Sequence, residues 1–293
     1  MICRVNKKSG FFWGILLNVI YIVAEIGFGF LVGSMALVAD AVHNLSDVLG
    51  LGIAWGAEHL SNKRPTLNRT YGYKSSSILA ALVNAVFLLV AMGAIIVEAI
   101  TRFGNEQPVQ GGTVMIVAGA GIVVNGVTAL LFQKGQQKDL NVRGAFLHMA
   151  ADAGVSLGVV ISGGLILLTH WEWLDPLVSI VVALLVVWST WGLLRDALDL
   201  AMAAVPKAIN PQKVKAEIEA EPTIVSCHDL HIWALSTTDV AVTVHVLRNT
   251  SKDNDRFLED LSKKLRDDFD IAHVTIQVEY GDYQGLKNGD NTY

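Results

Sequence analysis

The chain has 293 residues, 52% of them apolar and 17% charged, and its formal net charge is −5 at neutral pH. This composition points to a membrane protein, because an ordinary soluble chain carries more charged residues. The negative charge lies in residues 207–293, which hold 10 Lys or Arg and 15 Asp or Glu, whereas the preceding residues hold 12 of each. Such an acidic region argues against nucleic acid or an anionic lipid surface as a partner and suits a cationic one.

Six apolar stretches are long enough to cross a bilayer, which takes about 20 residues in a helix. They lie near residues 11–33, 35–60, 76–101, 112–133, 144–169 and 174–194. The predicted fold is therefore a polytopic α-helical membrane domain with six transmembrane helices over residues 1–206. A soluble cytoplasmic domain is predicted for residues 207–281, and a flexible tail for residues 282–293.

Lys and Arg residues predict the orientation, since positively charged connections stay in the cytoplasm. They lie in the N-terminus, the second-to-third connection and the fourth-to-fifth connection: Arg4, Lys7, Lys8, Lys63, Arg64, Arg69, Lys74, Lys134, Lys138 and Arg143. Both termini are therefore expected in the cytoplasm. The first apolar run is longer than a signal-peptide core and five spans follow it, so we interpret it as a retained helix. The short connections favour a bacterial inner membrane.

The two cysteines, Cys3 and Cys227, are far apart in the sequence and form no C-x-x-C motif. Neither a disulfide framework nor a thiolate zinc site is therefore indicated. A reducing cytosol fits the soluble domain.

The second and fifth spans each carry an imidazole and a carboxylate on one helical face. Asp40, His43 and Asp47 stand at i, i+3 and i+7 in the second span. His148 and Asp152 stand at i and i+4 in the fifth span. An Asp in hydrocarbon costs at least about 2.5 kcal/mol, and the sequence has no Lys or Arg at this depth to neutralise it. A bound cation would supply the missing partner.

The two spans together offer four ligands: His43, Asp47, His148 and Asp152. Such a set suits a tetrahedral site of nitrogen and oxygen ligands, which zinc favours most, and its two carboxylates balance a 2+ charge. Magnesium and calcium prefer more oxygen ligands and copper(I) prefers sulfur, whereas manganese, cobalt, nickel and cadmium stay open. The alternative is that each pair only joins helices or lines a water-filled gap. Two matching pairs favour the metal site.

Other polar residues in the spans receive different roles. Asp40 is interpreted as a residue that orients His43, and the alternatives are a ligand at the mouth of the site or a residue near the helix start. Asn18, Glu25, Asn84 and Asn125 lie in other spans and are expected to form interhelical hydrogen bonds rather than to bind metal.

The soluble domain is predicted to be an α-β-β-α-β module. Its elements lie near Pro211–Glu219, Val225–Leu235, Val240–Leu247, Asp253–Asp270 and His273–Tyr280. Alternation in the second strand places four valines on one face and His245 on the other. An apolar stripe from Phe257 to Phe269 has helical spacing and is expected to cover the valine face. The predicted result is a one-sided sheet covered by two helices.

Five segments carry a family resemblance. They are SMALVADAVHNLSD at 34–47, YGYKSSSILAALVNA at 71–85, LNVRGAFLHMAAD at 140–152, DPLVSI at 175–180 and CHDLHIW at 227–233. Together they resemble the zinc-transporting branch of the cation diffusion facilitator family over nearly the whole chain. The sequence departs from many zinc relatives because it has no His-rich loop, so metal delivery by a His-rich arm is not expected.

The resemblance implies a homodimer in the lipid bilayer whose protomers each bind metal at the four intramembrane ligands and exchange protons for it. In this family the paired-histidine version of the site is associated with zinc and cadmium. The resemblance also implies a ferredoxin-like cytoplasmic domain that binds metal. The residues that match its site are His228, His245 and Glu279, with His231, Asp229 or His273 as further contributors. Zn²⁺ is therefore expected both as transported substrate and as a ligand of the cytoplasmic domain.

The predicted function is zinc efflux from the cytoplasm by proton-coupled antiport, with alternating access to the intramembrane site. No G-x-x-x-x-G-K-[ST] motif is present in the sequence, so a proton gradient rather than ATP is the expected energy source. The alternatives are an exporter of zinc, cadmium, cobalt and nickel, a membrane metal sensor that does not transport, and an intramembrane zinc enzyme. The enzyme is disfavoured because four protein ligands leave no position for a catalytic water.

Overall fold

The computed structural model describes residues 7–61, 63–103, 108–133 and 140–281. The predicted flexible tail at 282–293 lies outside this range, as do Arg4, Lys134 and Lys138 of the predicted cytoplasmic connections. The chain forms two compact units. The helical unit comprises Met1–Gly52 and Val83–Leu193, and the sheet unit comprises Ile53–Leu82 and Leu194–Tyr293.

Within the described ranges, six long helices lie at the predicted spans. They are α1 (Lys7–Leu31), α2 (Met35–Ser61), α3 (Ser76–Arg102), α4 (Gly111–Gln133), α5 (Leu140–Thr169) and α6 (Leu174–Ala201). The largest difference from prediction is at α6, which continues to Ala201 instead of ending near residue 194.

Four of these helices are long and apolar enough to cross a membrane within the described residues. They are α3, α4 over Gly111–Leu130, α5 over Leu147–Thr169 and α6. The described apolar part of α1 is shorter, covering Asn18–Leu31. The chain is therefore an integral membrane protein, and six crossings stay a prediction for α1 and α2.

α2 packs between two apolar clusters of the helical unit. Met35, Val38 and Ala39 pack against α3 and α6, whereas Ala36 and Leu37 pack against α4 and α5. Many large apolar side chains on the outer helix surfaces are exposed, as expected for helices surrounded by lipid. The central position of α2 places its polar face among α3, α5 and α6.

Hydrogen bonds from other helices hold the start of α2. The carboxylate of Asp175, on α6, accepts from the Met35 amide at 2.7 Å and from the Ser34 hydroxyl at 2.5 Å. A carboxylate at this position satisfies free amide groups and is favoured by the helix dipole. The Arg102 guanidinium, at the end of α3, donates to the carbonyl oxygen of Gly33 at 2.5 Å. These contacts position α2 relative to α6 and α3.

α4 and α5 approach each other closely where two glycines meet. A methyl group on Gly111 would collide with the carbonyl oxygen of Gly163, and one on Gly163 would lie 2.8 Å from the carbonyl oxygen of Gly111. Small residues allow membrane helices to pack at such distances. α5 is therefore held directly against the backbone of α4.

The C-terminal part of the sheet unit has the predicted α-β-β-α-β order. Its elements are α7 (Pro211–Glu219), β1 (Ile224–Ala234), β2 (Val240–Arg248), α8 (Asn254–Phe269) and β3 (Ile271–Tyr280), all within two residues of prediction. The sheet order is β1-β2-β3, with β1 antiparallel and β3 parallel to β2. α7 begins at Pro211 because the Asn210 side chain accepts a hydrogen bond from the Lys213 amide at 3.1 Å.

One face of the sheet is covered by the two helices, as predicted. The buried core combines the valines of β2 with the apolar faces of α7 and α8: Val240, Val242, Val244, Val246, Val214, Ile218, Phe257, Leu261 and Leu265. Each fully buried aliphatic side chain contributes about 1.5 to 3 kcal/mol. The opposite face of the sheet is left for polar side chains.

The connection between α2 and α3 packs on this sheet within the same unit. Lys74 forms an ion pair with Asp239 at 2.9 Å, and the Ser75 hydroxyl donates to the carbonyl oxygen of Leu235 at 3.2 Å. The rings of Tyr71 and His273 meet edge to face with centroids 5.3 Å apart. The connection and the C-terminal domain therefore belong to one compact unit.

Candidate metal centres

The four residues predicted as intramembrane ligands meet between α2 and α5. Each helix contributes two of them at i and i+4, and this spacing stacks both side chains on one face. The packing of α2 against α5 then brings the two pairs together. The two imidazole rings meet edge to face, with centroids 6.0 Å apart.

Each histidine lies between the two carboxylates. His43 Nε2 is 3.2 Å from Asp152 Oδ1 and 3.9 Å from Asp47 Oδ2. His148 Nε2 is 3.2 Å from Asp47 Oδ2 and 3.7 Å from Asp152 Oδ2. Zinc bonds to nitrogen and oxygen are about 2.0 to 2.2 Å long, which sets the edge of a tetrahedron of ligands at roughly 3.3 to 3.6 Å. The four distances are close to this length. One ligand atom from each of His43, Asp47 and Asp152 lies within 4.8 Å of the others, and His148 approaches this group at its two carboxylates.

Burial differs among the four side chains. The side chain of Asp152 is 3% exposed and that of His43 is 12% exposed, whereas Asp47 and His148 are 29% and 44% exposed. Among the described residues, His43 Nδ1, Asp47 Oδ2 and Asp152 Oδ2 are buried polar atoms with no hydrogen-bond partner. Unsatisfied lone pairs of this kind are costly unless a ligand or an ion takes them.

A cavity of about 710 Å³ borders all four residues. Its wall is mostly apolar and includes the face of α6 from Leu177 to Leu193, together with Asn84 of α3 and Ser46 of α2. An ion at the four residues is therefore accessible from this cavity.

Asp40 is fully buried, and it accepts a hydrogen bond from Ser156 of α5. The Ser156 hydroxyl donates to Asp40 Oδ2 at 2.8 Å. Its predicted role in orienting His43 stays a prediction. The expected interhelical hydrogen bonds are confirmed for Glu25, which accepts from Asn44 at 3.4 Å, and for Asn84, which accepts from Ser46 at 3.4 Å.

A second cluster lies on the polar face of the sheet. His245 Nδ1 is 2.9 Å from Glu279 Oε1, and His228 Nε2 is 3.5 Å from Glu279 Oε2. The rings of His228 and His245 have centroids 5.2 Å apart. One ligand atom from each of the three residues lies within 4.8 Å of the others. Two imidazoles and a carboxylate form a donor set that fits zinc.

Strand register explains this cluster. His228 on β1 is directly paired with His245 on β2, and Leu247 on β2 is paired with Glu279 on β3. The register of β1 shifts between His228 and His231, and Asp229 has a left-handed φ of 53° at this bulge. The bulge turns Asp229 toward the cluster, where its Oδ2 is 3.6 Å from His245 Nε2.

The other predicted contributors have different surroundings. His231 Nε2 lies 2.9 Å from Asp229 Oδ1, so its contact with the cluster is through Asp229. His273 packs against Tyr71 instead. Cys227 faces the apolar core, and burial raises the pKa of its thiol to about 11. A neutral thiol on the opposite face from His228 fits the expectation that cysteine is not a ligand.

Two family descriptions match nearly the entire chain. "Cation efflux transmembrane domain" matches residues 11–200, and "Cation efflux protein, cytoplasmic domain" matches residues 206–280.

Curated relatives match over most of their length. The zinc transporter ZitB of Escherichia coli is 37% identical over 262 residues, covering 89% of this chain and 83% of the relative. The cadmium, cobalt and zinc/H(+)-K(+) antiporter of Bacillus subtilis is 36% identical over 279 residues, covering 94% and 89%. A solved structure, the metal-bound C-terminal domain of the CzcD transporter from Cuprividus metallidurans, is 43% identical and covers 24% of this chain and 99% of that chain, with a TM-score of 0.23.

Proposed function

Because the chain belongs to the cation efflux family, the cation diffusion facilitators, we propose that it exports zinc from the cytoplasm in exchange for protons. It acts as a secondary active transporter through a tetrahedral site made of His43, Asp47, His148 and Asp152. The names of its relatives, a zinc transporter and a cadmium, cobalt and zinc antiporter, support both the substrate class and the use of protons.

The carrying observation is the convergence of two imidazoles and two carboxylates, in which the Nε2 atom of each histidine lies 3.2 to 3.9 Å from an oxygen of both aspartates. These distances are close to the roughly 3.3 to 3.6 Å between ligands of a tetrahedral zinc ion. Two carboxylates neutralise the 2+ ion, and two imidazoles complete the coordination without adding charge. The buried oxygens Asp47 Oδ2 and Asp152 Oδ2, which accept no hydrogen bond among the described residues, support an ion at this position.

The transport cycle begins with the site open to the cytoplasm. Zn²⁺ enters through the cavity along α6 and binds the neutral imidazoles and ionised carboxylates. Displacement of the helices then opens the site to the other side. Protons there compete for the same lone pairs, zinc leaves, and the protonated site returns.

Charge balance favours more than one proton per zinc. Export of Zn²⁺ for one proton moves one positive charge outward against an interior-negative potential, which costs about 2.3 kcal/mol per 100 mV. Exchange for two protons is electroneutral and avoids this cost.

The architecture that we propose for this cycle has six membrane crossings with both termini in the cytoplasm of a bacterial inner membrane. The transport domain covers residues 1–206, and a ferredoxin-like cytoplasmic domain covers residues 207–281 and joins two protomers into a homodimer. The description of the matching cytoplasmic family and the αββαβ order support this assignment.

The cytoplasmic domain binds zinc at His228, His245 and Glu279. Asp229 lies close to this cluster, and His231 is hydrogen-bonded to Asp229. Metal at this site tightens the homodimer and biases the transport domain. Sizing of the isolated domain with and without zinc tests this role, and unchanged shape and association would contradict it.

The decisive experiment is zinc uptake into proteoliposomes under an imposed pH gradient. The parent is compared with Asp47→Ala and Asp152→Ala, with Asp196→Ala as the matched control because Asp196 is an exposed carboxylate on the same protein that pairs with Lys207. We expect uptake by the parent and the control and none by the two site variants. Equal uptake by all four, or by none, would overturn the proposal.

The range of metals is the main alternative, because one relative is named for cadmium and cobalt as well as zinc. Repeating the assay with cadmium, cobalt, nickel, manganese and iron defines it. A membrane metal sensor that does not transport is the other alternative, since the sheet unit forms its cluster by itself. A parent that binds zinc at the sheet cluster but moves none across the bilayer would support that alternative.

A further inference from the structure

A second buried polar cluster lies in the helical unit outside the four proposed ligands. Glu25 on α1 and Asp40 on α2 are both 0% exposed. The Tyr21 hydroxyl donates to Glu25 Oε1 at 2.6 Å, and the Asn44 amide donates to Glu25 Oε2 at 3.4 Å. The Ser156 hydroxyl donates to Asp40 at 2.8 Å. Two carboxyl groups therefore share one buried environment.

This environment supplies no cation for the two carboxyl groups. Among the ion pairs of the described residues, none involves Glu25 or Asp40. Asn44, which donates to Glu25 at 3.4 Å, lies one helical turn after Asp40 on α2, so the two carboxyl groups lie close to each other. Two adjacent buried carboxylates without a counter-ion are strongly disfavoured, so one of them retains a proton.

The groups around Glu25 and its neighbours Tyr21 and Asp40 come from four helices. α1 contributes Tyr21, and α2 contributes Asp40 and Asn44. Among the described residues, α4 adds the carbonyl oxygen of Val117, 3.5 Å from the Tyr21 hydroxyl, and α5 adds Ser156 through Asp40. The titratable groups next to Asp40 along the helices are His43, one turn after it on α2, and Asp152, one turn before Ser156 on α5.

We propose that Glu25 is a proton-binding site of the antiport, separate from the four metal ligands. This inference rests on the proposed exchange of zinc for protons. When the transport site lacks zinc, its two carboxylates favour a proton on Glu25. When Zn²⁺ arrives, its positive charge opposes that proton. The O–H bond of the carboxyl group breaks, the proton leaves toward the cytoplasm, and the electron pair stays on the Glu25 carboxylate.

Close packing favours a proton rather than a metal ion at Glu25. A methyl group on Gly121 of α4 would collide with the Tyr21 hydroxyl and would lie 3.2 Å from the Ser156 hydroxyl. Neither Glu25 nor Asp40 is among the residues that line the cavity at the transport site. A proton needs no coordination sphere, whereas Zn²⁺ needs four ligands and Mg²⁺ or Ca²⁺ needs six or more.

The separate position gives the exchange a second titrating group. Protons at the metal ligands compete directly with zinc for lone pairs, whereas a proton on Glu25 responds to zinc only through charge. The two groups together account for an exchange of two protons for one Zn²⁺.

The test compares the parent with Glu25→Gln, which has the same shape and cannot release a proton. Purified protein in weakly buffered detergent receives zinc, and a pH indicator measures the protons released per zinc bound. We expect Glu25→Gln to bind zinc at the transport site with at most a few-fold change and to release one proton fewer. The same variant in proteoliposomes should carry one more positive charge outward per zinc.

Glu98→Gln is the matched control, because Glu98 is a half-exposed glutamate at the far end of α3. It should release as many protons as the parent. Glu25→Asp restores a titrating carboxyl group and should recover most of the lost proton. An unchanged proton count in Glu25→Gln would overturn the inference, whereas a parent that moves no zinc would overturn the proposed function itself.

Infrared difference spectra of the unmodified protein keep the inference testable if Glu25→Gln does not fold. Addition of zinc should remove the carbonyl band of a protonated carboxyl group in the parent and in Glu98→Gln. The absence of this change in the parent would overturn the inference. An effect of a K⁺ gradient without an effect of a pH gradient on zinc uptake would overturn it as well.

Discussion

The two histidine and carboxylate clusters use similar side chains on different scaffolds. In the helical unit, α2 and α5 each contribute a pair four residues apart, and the packing of two helices completes the cluster. In the sheet unit, His228, His245 and Glu279 stand on three strands, and hydrogen-bonded register brings them together. The first cluster therefore depends on helix positions that a rigid-body displacement changes, whereas the second depends on a sheet.

This difference matches the two roles that we propose. The helical cluster borders a cavity of about 710 Å³, and its contacts are lost when α5 moves relative to α2. The sheet cluster rests on a buried core that resists displacement. Transient binding suits the first and steady occupancy suits the second.

The variant with the largest expected effect, Asp152→Asn, disrupts the helical cluster alone. Asp152→Asn keeps the shape of a side chain that is 3% exposed but removes one of the two charges that neutralise Zn²⁺. We expect zinc uptake below about 1% of the parent, since loss of even an outer partner costs roughly 10- to 100-fold. Uptake is measured in proteoliposomes, with Asp196→Asn as control. Zinc binding by the sheet cluster should be unchanged, and its loss would show that the two clusters are not independent.

The variant with the next largest expected effect, Glu279→Gln, disrupts the sheet cluster alone. Glu279 contacts both histidines and its side chain is 4% exposed, so Glu279→Gln removes the only carboxylate within the three-residue group. We expect zinc affinity at this site to fall by about 100-fold while uptake continues. Equilibrium dialysis of the isolated domain provides the affinity, and Glu259→Gln on exposed α8 provides the control. Complete loss of uptake would contradict a supporting role.

The reactivity of the Cys227 thiol tests whether this side chain lies on the apolar face of β1 or on the polar face beside His228. Its pKa is raised from 9.0 to about 11 by burial, so the thiol is neutral at pH 8 and should react with iodoacetamide about 100-fold more slowly than in the unfolded chain. The neutral form is the one that the fold favours. The contribution of Cys227 to the free energy of unfolding is therefore constant below pH 9 and decreases as the pH rises from 9 toward 11.

Mass spectrometry of a Cys3→Ser variant measures this labelling. Rapid labelling at pH 8 would place Cys227 on the polar face beside His228 and would add a soft ligand to the sheet cluster.

The smallest effect concerns the ion pair between the α2–α3 connection and the sheet. Lys74 and Asp239 are 2.9 Å apart and about one-third exposed, so Lys74→Met should change local stability by about 0 to 1 kcal/mol. Hydrogen exchange of residues 63–75 measures this, with Lys252→Met as control. A change well above this range would mean that the connection depends on this pair and transmits metal binding at the sheet.

Local patterns explain what the sequence predicted well. The ligand pairs on α2 and α5 were readable because residues four apart share a helical face wherever the helix lies. The valine face of β2 and the stripe of α8 were readable for the same reason, since each period is a property of one element. The αββαβ order and its bounds followed from these periods.

Features that depend on tertiary packing were not readable. Asp229 reaches His245 only because a bulge shifts the register of β1, and no residue pattern announces that shift. His273 lies beside Tyr71 because a distant connection packs on the sheet. Glu25 was expected to form an interhelical hydrogen bond, but its proximity to Asp40 depends on the relative rotation of α1 and α2.

The close contact between Gly111 of α4 and Gly163 of α5 can act as a pivot about which α5 tilts. Along α5, Asp152 lies 11 residues and His148 lies 15 residues from Gly163, or about 16 and 22 Å at 1.5 Å per residue. A tilt of about 10° at this pivot would swing these side chains by roughly 3 and 4 Å. This displacement is about as large as the distance between two ligand atoms. A small tilt of α5 about its close contact with α4 would therefore separate the two ligands on α5 from the two on α2.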